Sequence, residues 1–386
     1  MIYLDNSATT GVRDEAKSAM LPFLEGGFGN PSSIHQPGHF AHAAVEHARK
    51  QLAKLLNCAP SEIYFTPCAT YSNNVAILGR ARAIDAQGGS KHLITSAIEH
   101  PSCLGPAKFL EGNGWDVTYL PVDSEGLVST AALEKAIKPQ TSIISLMWAN
   151  NEIGSLFPIE EMSKLAADRG IFFHTDAVQV PGKLQIDLAR VAADTLSLSG
   201  HKFYAPKGIG ILFKRQNVNL MPIVFGGGQE SALFPGTEPV ANIVAIGEAA
   251  ECAQKELVET EAKLRQMQKI LAESLLAIQG VRMTGPRELD KRLPGHVSVV
   301  VPGIEGEAAV VQCDLKDICI SSASACHKGI KQPSHVVSAL QIGTNLALGS
   351  LRISAGRFNT AEDCHQAAAI ITKVVASLRK TSAPVS

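Results

Sequence analysis

Short apolar segments alternate with helical patterns through the first half of this chain, and this alternation most constrains its fold. The strand candidates are EIYFT (62–66), HLITS (92–96), DVTYLPV (116–122), SIISLMW (142–148), IFFHTDA (171–177), TLSLS (195–199) and IGILF (209–213). Helix candidates lie between them at 73–86, 130–137 and 159–170. Such alternation predicts an α/β fold with a mainly parallel sheet and helices on both faces. Ligands bind such sheets outside the carboxyl ends of the strands.

The pattern changes on either side of this region. The first 60 residues are expected to form a polar opening followed by one helix at 40–57. Helical spacing extends over 241–278, and two further strand candidates and a last helix follow, at 296–301, 317–322 and 364–378. We therefore predict a large α/β domain at 13–255. A smaller α+β domain would be built from 1–12 and 256–386.

Composition narrows the class of partner. Lysines and arginines number 35 and acidic residues 36 among 386 residues, for a net charge of -1, which argues against a nucleic-acid partner. No apolar stretch is long enough for a transmembrane helix, and the N-terminus does not resemble a signal peptide. The eight cysteines form no CxxC pair. We expect no metal site and no disulfide scaffold, and a reduced, cytoplasmic location.

The segment SLSGHKFYAP places Lys202 just after a strand candidate. Most lysines are solvated surface charges, which is the alternative interpretation of this residue. Gly200, Gly208 and Gly210 allow tight turns around it. A lysine in a partly desolvated pocket has a lowered pKa and can form a Schiff base, as pyridoxal phosphate (PLP) enzymes require.

Other parts of a PLP site also follow strand candidates. Asp176 could pair with the pyridine nitrogen or simply cap a helix, and Gln179 could reach the phenolic oxygen or lie on the surface. His100 could stack on the ring or be structural. Polar residues Thr70, Ser72 and Asn73 in CATYSNN open a helix, where free N–H groups bind phosphate or are merely capped.

Taken together, the motifs resemble those of cysteine desulfurases of the class V aminotransferase group, which are fold-type I PLP enzymes. The resemblance is carried, in order, by YLDNSATT, GNPSSIH, CATYSNN, IEHPS, NNEIG, HTDAVQ, SLSGHK, GGGQE, SSASAC and LRISAGRF. It covers nearly the whole chain. The longer segment SSASACHKGIKQPSHVV is similar to the NifS/IscS branch rather than the SufS branch.

The resemblance implies roles around the ring of the cofactor. Lys202 would bind PLP covalently, and His100 would stack on the ring and assist proton transfer. Asp176 would pair with the pyridine nitrogen, and Gln179 would bond the phenolic oxygen.

The resemblance also implies which residues hold the phosphate of the cofactor and the carboxylate of the substrate. The residues assigned to the phosphate are Thr70, Ser199 and His201, with Thr237 of the other subunit of a homodimer. Asn151 would contact the cofactor and, with Arg352, hold the substrate carboxylate, a task that suits the planar fork of arginine.

Cys326 completes the implied site as the nucleophile that takes sulfur from L-cysteine and becomes a persulfide. The product would be L-alanine, and the sulfur would pass to an acceptor or iron–sulfur scaffold protein. Any one cysteine is more often a small buried apolar residue, but Cys326 follows a run of small residues and precedes His327 and Lys328, which favours a thiolate.

Two alternatives stay open. A selenocysteine, cystine or cysteine lyase of the same fold would not need Cys326, and a non-catalytic sulfur carrier or scaffold would not need Lys202, Asp176 and His100.

Four positions depart from the family pattern. Tyr71 stands where ATESNN has glutamate, and Ala323 replaces the glycine of SSGSAC. Ser231 and Phe234 replace the two arginines of ERGLRSGT. These changes bear on substrate entry, rate and choice of partner more than on the reaction.

Overall fold

The computed structural model describes the backbone of residues 1–322, 324–327 and 330–381, and the side chains of residues 1–322 and 332–381. The strands, in chain order, are β1 (Ile2–Tyr3), β2 (Ile63–Thr66), β3 (His92–Ser96), β4 (Asp116–Leu120), β5 (Thr141–Ser145), β6 (Phe172–Asp176), β7 (Thr195–Ser199), β8 (Gly210–Lys214), β9 (Arg282–Met283), β10 (His296–Val300), β11 (Ile318–Cys319), β12 (Ser324–His327), β13 (Ile330–Pro333) and β14 (Ser350–Ser354). All seven strand candidates between residues 62 and 213 are confirmed as strands of one sheet.

The seven-stranded sheet has the order β2-β8-β7-β6-β5-β3-β4. Neighbours pair in parallel from β4 to β7, whereas β8 runs antiparallel to both β7 and β2. The predicted α/β fold with a mainly parallel sheet is therefore confirmed, with one reversed strand.

The helices include several that the sequence pattern did not predict. In chain order they are α1 (Asp14–Glu25), α2 (Gln36–Leu56), α3 (Ala69–Asn74), α4 (Arg80–Ala86), α5 (Pro101–Glu111), α6 (Thr130–Ala136), α7 (Ile159–Asp168), α8 (Val240–Lys255), α9 (Leu257–Leu276), α10 (Gly306–Asp314), α11 (His335–Ala339), α12 (Thr344–Ala347) and α13 (Ala361–Thr381). Within the described residues, every helix is too short or too polar to span a bilayer.

Helix α1 lies within the predicted polar opening, where the sequence pattern indicated no helix. Ala16 is its one fully buried position, so the helix carries little of the apolar periodicity by which helices are recognised. The single helix expected over 241–278 is likewise divided at Glu256 into α8 and α9.

Alternate residues of the central strands face two separate apolar cores. Ile94 and Phe173 pack with α2, α7 and α8 on one face, whereas their neighbours Leu93 and Phe172 pack with α4 and α5 on the other. This period of two, with both faces covered, is what a buried parallel sheet requires.

A third core lies apart from the sheet. It groups Leu4 with residues from α9, β10, α10, β14 and α13, and β1 pairs in parallel with β11. The N-terminal strand thus packs with the C-terminal part of the chain. The boundaries of the two predicted domains, at residues 12/13 and 255/256, stay a prediction.

Arg292 is a fully buried cation that connects the turn after β5 to the chain before β10. Its guanidinium donates hydrogen bonds to the carbonyls of Ile153, Thr284 and Pro286. Burial lowers the pKa of Arg292 to about 9, although Glu125 opposes this shift. Three buried carbonyls in two backbone segments therefore depend on one side chain for their hydrogen-bond donors.

Replacing Arg292 by alanine should lower the free energy of unfolding by about 3 kcal/mol, because buried carbonyls would lose charged donors. Urea unfolding of the purified protein measures this change. Arg282→Ala, at an exposed position of β9, is the matched control and should change stability little. Equal losses for the two variants would contradict this account of Arg292.

Candidate active site

A cavity of about 200 Å³ opens at the carboxyl ends of the central strands. Eight of the residues predicted from the sequence line it: Thr70, His100, Asn151, Asp176, Gln179, Ser199, His201 and Lys202. They come from different loops, and each of these loops follows a strand of the same sheet. Because those strands are neighbours, the loops meet at one edge of the sheet. The fold thus brings together residues separated by more than 130 positions along the chain.

Lys202 ends a short 3-10 turn, Gly200–Lys202, directly after β7. Its Nζ donates to the carbonyl oxygens of Ser7, at 2.6 Å, and Ala8, at 2.8 Å. Burial lowers the pKa of Lys202 to about 8, and Arg352 adds to this shift. Nearby Asp176 acts in the opposite direction, because its negative charge favours the charged amine and raises the pKa of Lys202. The amine can therefore be neutral near physiological pH, as a nucleophile or base must be.

Asp176, the last residue of β6, is held by two donors. Its Oδ2 accepts from Asn73 Nδ2 at 2.8 Å, and its Oδ1 accepts from the backbone N–H of Val178 at 3.0 Å. The carboxyl group is buried but lines the cavity. It therefore presents a fixed negative charge to whatever occupies the cavity.

His100 caps the N-terminus of α5. Its Nδ1 accepts from the backbone N–H of Ser102, at 3.1 Å, and contacts Ser102 Oγ at 2.7 Å. One side of the ring is open to the cavity, yet desolvation by the surrounding protein lowers the pKa of His100. Lys202 and His335 add to that shift, and Asp176 opposes it.

The predicted phosphate-binding residues lie around the start of α3. Thr70 is its second residue, and Ser199 and His201 face it across the cavity. Gly210 makes this possible, because a Cβ there would lie 2.6 Å from the carbonyl carbon of Cys68. Burial lowers the pKa of His201 to about 4, so this ring offers an N–H rather than a positive charge.

Gln179 is oriented by a buried lysine that the sequence interpretation missed. Its Nε2 donates to the Ser7 carbonyl at 3.0 Å, while Lys183 Nζ donates to its backbone carbonyl at 3.1 Å and to its Oε1 at 3.4 Å. Burial lowers the pKa of Lys183 to about 7. The spacing of four residues, with both side chains polar, was the only signal in the sequence.

Arg352, on β14, is not among the residues that line the cavity, but it contacts one of them, Asn151. Its Nη1 donates to the Asn151 carbonyl at 3.1 Å, and its Nη2 pairs with Asp5 Oδ1 at 2.7 Å. Its buried Nε has no hydrogen-bond partner among the described residues. Arg352 and Asn151 therefore lie together, as predicted. Asp5, within the quoted YLDNSATT motif, was not recognised as a site residue.

The Asn151 turn depends on a glycine. Gly154 has a φ of +76°, and a Cβ there would lie 2.6 Å from His296 Nδ1. Asn150 Oδ1 accepts from the backbone N–H groups of Glu152 and Ile153, which tightens the same turn. The motif NNEIG thus encodes a turn that places Asn151 against Arg352.

Thr237 is not part of this cavity. It lines a neighbouring cavity of about 260 Å³ together with Tyr71 and Phe234, two of the residues that depart from the family pattern. The ring centroids of Tyr71 and Phe234 are 5.9 Å apart. An aromatic contact thus occupies the place where the family pattern has glutamate and arginine.

The side chain of Cys326 and all of Ala323 lie outside the described residues. The backbone of Cys326 belongs to β12, opposite Lys331 in the hairpin of β12 and β13. On one side of the hairpin, Ser321 exchanges two backbone hydrogen bonds with Arg352, at 2.7 and 3.0 Å. On the other side, His335 Nε2 donates to the carbonyl of Glu99 at 2.8 Å. Both ends of the hairpin are thus attached to the rim of the site.

Comparison with known proteins agrees with this geometry. The family model described as aminotransferase class V matches residues 2–366. The chain is similar to the cysteine desulfurase IscS of Dictyoglomus turgidum, with 42% identity over 382 residues that cover 99% of this chain and 96% of the relative.

Two solved structures are also similar to it. A NifS-like protein has a TM-score of 0.91 and 34% identity, covering 97% of this chain and 99% of the other. SspA, in complex with cysteine, has a TM-score of 0.81 and 36% identity, covering 93% of this chain and 100% of the other.

In protein free of any bound cofactor, acylation of Lys202 should rise with a midpoint near pH 8, because only the neutral amine reacts and burial lowers this pKa. For an unperturbed lysine amine, the midpoint of acylation would lie at about pH 10.4. Trace labelling followed by peptide mass mapping measures the profile. Exposed Lys17 is the internal reference, and coincidence of the two profiles would contradict the lowered pKa.

Proposed function

This chain belongs to the class V aminotransferase family and is one of its IscS- and NifS-like cysteine desulfurases, and we propose that it acts through PLP bound at Lys202. In the reaction, L-cysteine yields L-alanine, and its sulfur is transferred to Cys326. The observation that carries the proposal is the meeting of Lys202, Asp176 and His100 in one cavity. The lyase alternative is not favoured, because the similar proteins of Dictyoglomus turgidum and Azotobacter vinelandii are named cysteine desulfurases.

The residues present fit PLP. The cavity combines an amine of lowered pKa, a carboxylate fixed by two donors and the start of a helix, which suit an aldehyde, a pyridine nitrogen and a phosphate. Gln179 Nε2 is a donor on the same wall. Bound PLP supplies a ring that withdraws electrons from the amino acid and so weakens its Cα–H bond.

Lys202 has two tasks in this proposal. Its Nζ would hold the cofactor, and once the substrate is bound its amine would remove the proton from Cα. The pKa of about 8 supports both tasks, because a substantial fraction of the amine is neutral at working pH. The Ser7 and Ala8 carbonyls keep the amine within the cavity.

Arg352 and Asn151 bind the substrate carboxylate. Arg352 contacts Asn151, which lines the cavity, and its ion pair with Asp5 fixes the plane of the guanidinium. A planar, oriented fork binds a carboxylate bidentately. This contact would place the Cα of L-cysteine within reach of Lys202.

Cys326 then attacks the substrate sulfur as a thiolate. The new bond would join Cys326 Sγ to the substrate Sγ while the Cβ–Sγ bond breaks and its electron pair stays on the carbon side. A proton added at Cβ and the proton returned to Cα by Lys202 would then give L-alanine. Sulfur remains on Cys326 as a persulfide, which an acceptor protein of iron–sulfur cluster assembly or thiolation removes. A cysteine with this task must stay reduced, so the working compartment is a reducing one such as the cytoplasm.

The working unit is a homodimer in which Thr237 of one copy contacts the phosphate bound by the other. Three apolar side chains near the N-terminus are exposed in one copy, and the second copy would cover them: Leu24, Phe28 and Ile34 are 62%, 84% and 92% exposed. Light scattering at assay concentration tests the assembly, and an active monomer would contradict it.

Replacing Cys326 by alanine should lower alanine production from L-cysteine by at least about 100-fold, as expected for loss of a nucleophile. Binding of PLP and L-cysteine should persist, since Lys202, Asp176 and Arg352 are unchanged. Product analysis and visible absorbance measure the two effects. Cys319→Ala, in neighbouring β11, is the control and should keep activity and persulfide formation. Full activity in Cys326→Ala would favour the lyase instead.

Replacing Arg352 by lysine should raise KM for L-cysteine by roughly 10-fold to 100-fold, because a point charge replaces a bidentate fork. The turnover number should change less, since Lys202 and Cys326 are retained. Steady-state kinetics separates the two parameters. Arg357→Lys, whose side chain pairs with Glu256 instead, is the control. An unchanged KM would remove Arg352 from the carboxylate site.

A further inference from the structure

Asn73, on α3, is a fully buried amide beneath the cavity. Its Nδ2 donates to Asp176 Oδ2 and to Ser102 Oγ, both at 2.8 Å. Its Oδ1 lies 3.0 Å from His174 Nε2. A carboxylate only accepts hydrogen bonds, so Asp176 determines which end of the Asn73 amide faces it.

His174, on β6, fixes the other end of Asn73. Its Nδ1 lies 2.9 Å from Thr195 Oγ1, and burial lowers the pKa of His174 to about 3. The ring is therefore neutral with one N–H, and Asn73 Oδ1 requires that this N–H be on Nε2. Thr195 then donates to Nδ1, and every polar atom in the chain of contacts has one role.

Ser102 transmits this orientation to His100. Both hydrogens of Asn73 Nδ2 are used, so Ser102 Oγ accepts one of them and directs its own hydrogen to His100 Nδ1 at 2.7 Å. The backbone N–H of Ser102 donates to the same nitrogen at 3.1 Å. Because Nδ1 faces two donors, the single hydrogen of neutral His100 must be on Nε2.

We propose that Asn73 is a positioning residue which, through Ser102, fixes His100 as an Nε2–H donor and ties that state to the Asp176 carboxylate. This inference rests on the proposed function, in which His100 and Asp176 both face the cofactor. A ring held in this tautomer donates a hydrogen bond from Nε2 and has no free lone pair for a proton. His100 therefore does not remove the Cα proton, which leaves Lys202 as the base.

Protonating His100 requires a rearrangement of this network. An added hydrogen on Nδ1 would face the Ser102 N–H, and Ser102 Oγ would have to turn and accept while still bound by Asn73. The charged and titratable groups that act on His100 are Asp176, which favours the cation, and Lys202 and His335, which disfavour it. The hydrogen-bond network adds a directional barrier to these electrostatic effects.

The tautomer can be measured directly in PLP-loaded wild-type protein. With ¹⁵N-labelled histidine, NMR distinguishes a protonated from an unprotonated ring nitrogen, and the His100 signals are those absent from His100→Gln. We expect a protonated Nε2 and an unprotonated Nδ1 at neutral pH. A protonated Nδ1 would overturn the proposal, and this measurement requires no variant of the network to fold.

A double-mutant cycle tests the role of Asn73. Asn73→Ala should raise the pKa of His100 by about one unit, the scale of one hydrogen bond to a charged group, because Ser102 Oγ becomes free to accept from Nδ1–H. In a Ser102→Ala background the same substitution should cause no such rise. A purely structural effect of losing a buried amide would act equally in both backgrounds, and that result would overturn the proposal.

Asn74→Ala is the matched control, since among the described residues the side chain of this neighbouring asparagine bonds the backbone carbonyls of Thr70 and Ser102 and not Asp176. It should leave the pKa of His100 unchanged. Alanine release from L-cysteine by the same wild-type sample tests the proposed function separately. A protein that releases no alanine yet shows the Nε2–H tautomer would contradict that function and leave the role of Asn73 intact.

Discussion

The amine of Lys202 donates hydrogen bonds to the backbone carbonyls of Ser7 and Ala8, and this contact joins the N-terminal segment to the turn after β7 at the site. A cation withdrawn from water is costly unless other groups accept its hydrogens. The N-terminal segment supplies those acceptors, and it is itself held by the pairing of β1 with β11. Burial lowers the pKa of Lys202, whereas these two acceptors favour its charged form, so the packed N-terminal segment keeps the buried amine hydrogen-bonded.

The sequence predicted the central sheet because its strands are buried on both faces and are short, apolar and separated by helices. It did not predict that β8 is antiparallel to its neighbours, since a short apolar segment does not reveal the direction in which its strand runs. Helix α5 was missed for a different reason. It begins with Pro101 and contains Pro106, which weakens a helical interpretation, yet Pro101 is at the first turn, where no N–H partner is needed.

Lys202 and Asp176 could be identified from the sequence because each follows a strand and because the surrounding motifs resemble a known family. Asp5 was not recognised, and Asn73 was named only as a polar residue at the start of a phosphate-binding or capped helix, because the contacts of both residues reach across the chain. Asp5 pairs with Arg352, 347 positions away, and Asn73 bonds Asp176, 103 positions away. An isolated sequence does not contain those distances, and a buried asparagine has the same local pattern as a helix cap.

The two halves of the reaction place opposite demands on the structure. Proton removal needs groups held rigidly, and Asp176, Asn73 and His174 are accordingly buried in the large sheet or beneath it. A cysteine that takes sulfur from a buried substrate and gives it to another protein must reach both the substrate in the cavity and the acceptor at the protein surface. The chain separates these demands, because β12 and β13 form a two-stranded sheet of their own. Displacing that hairpin would break no hydrogen bond of the seven-stranded sheet, so the residues proposed to bind the cofactor can stay in place wherever Cys326 lies.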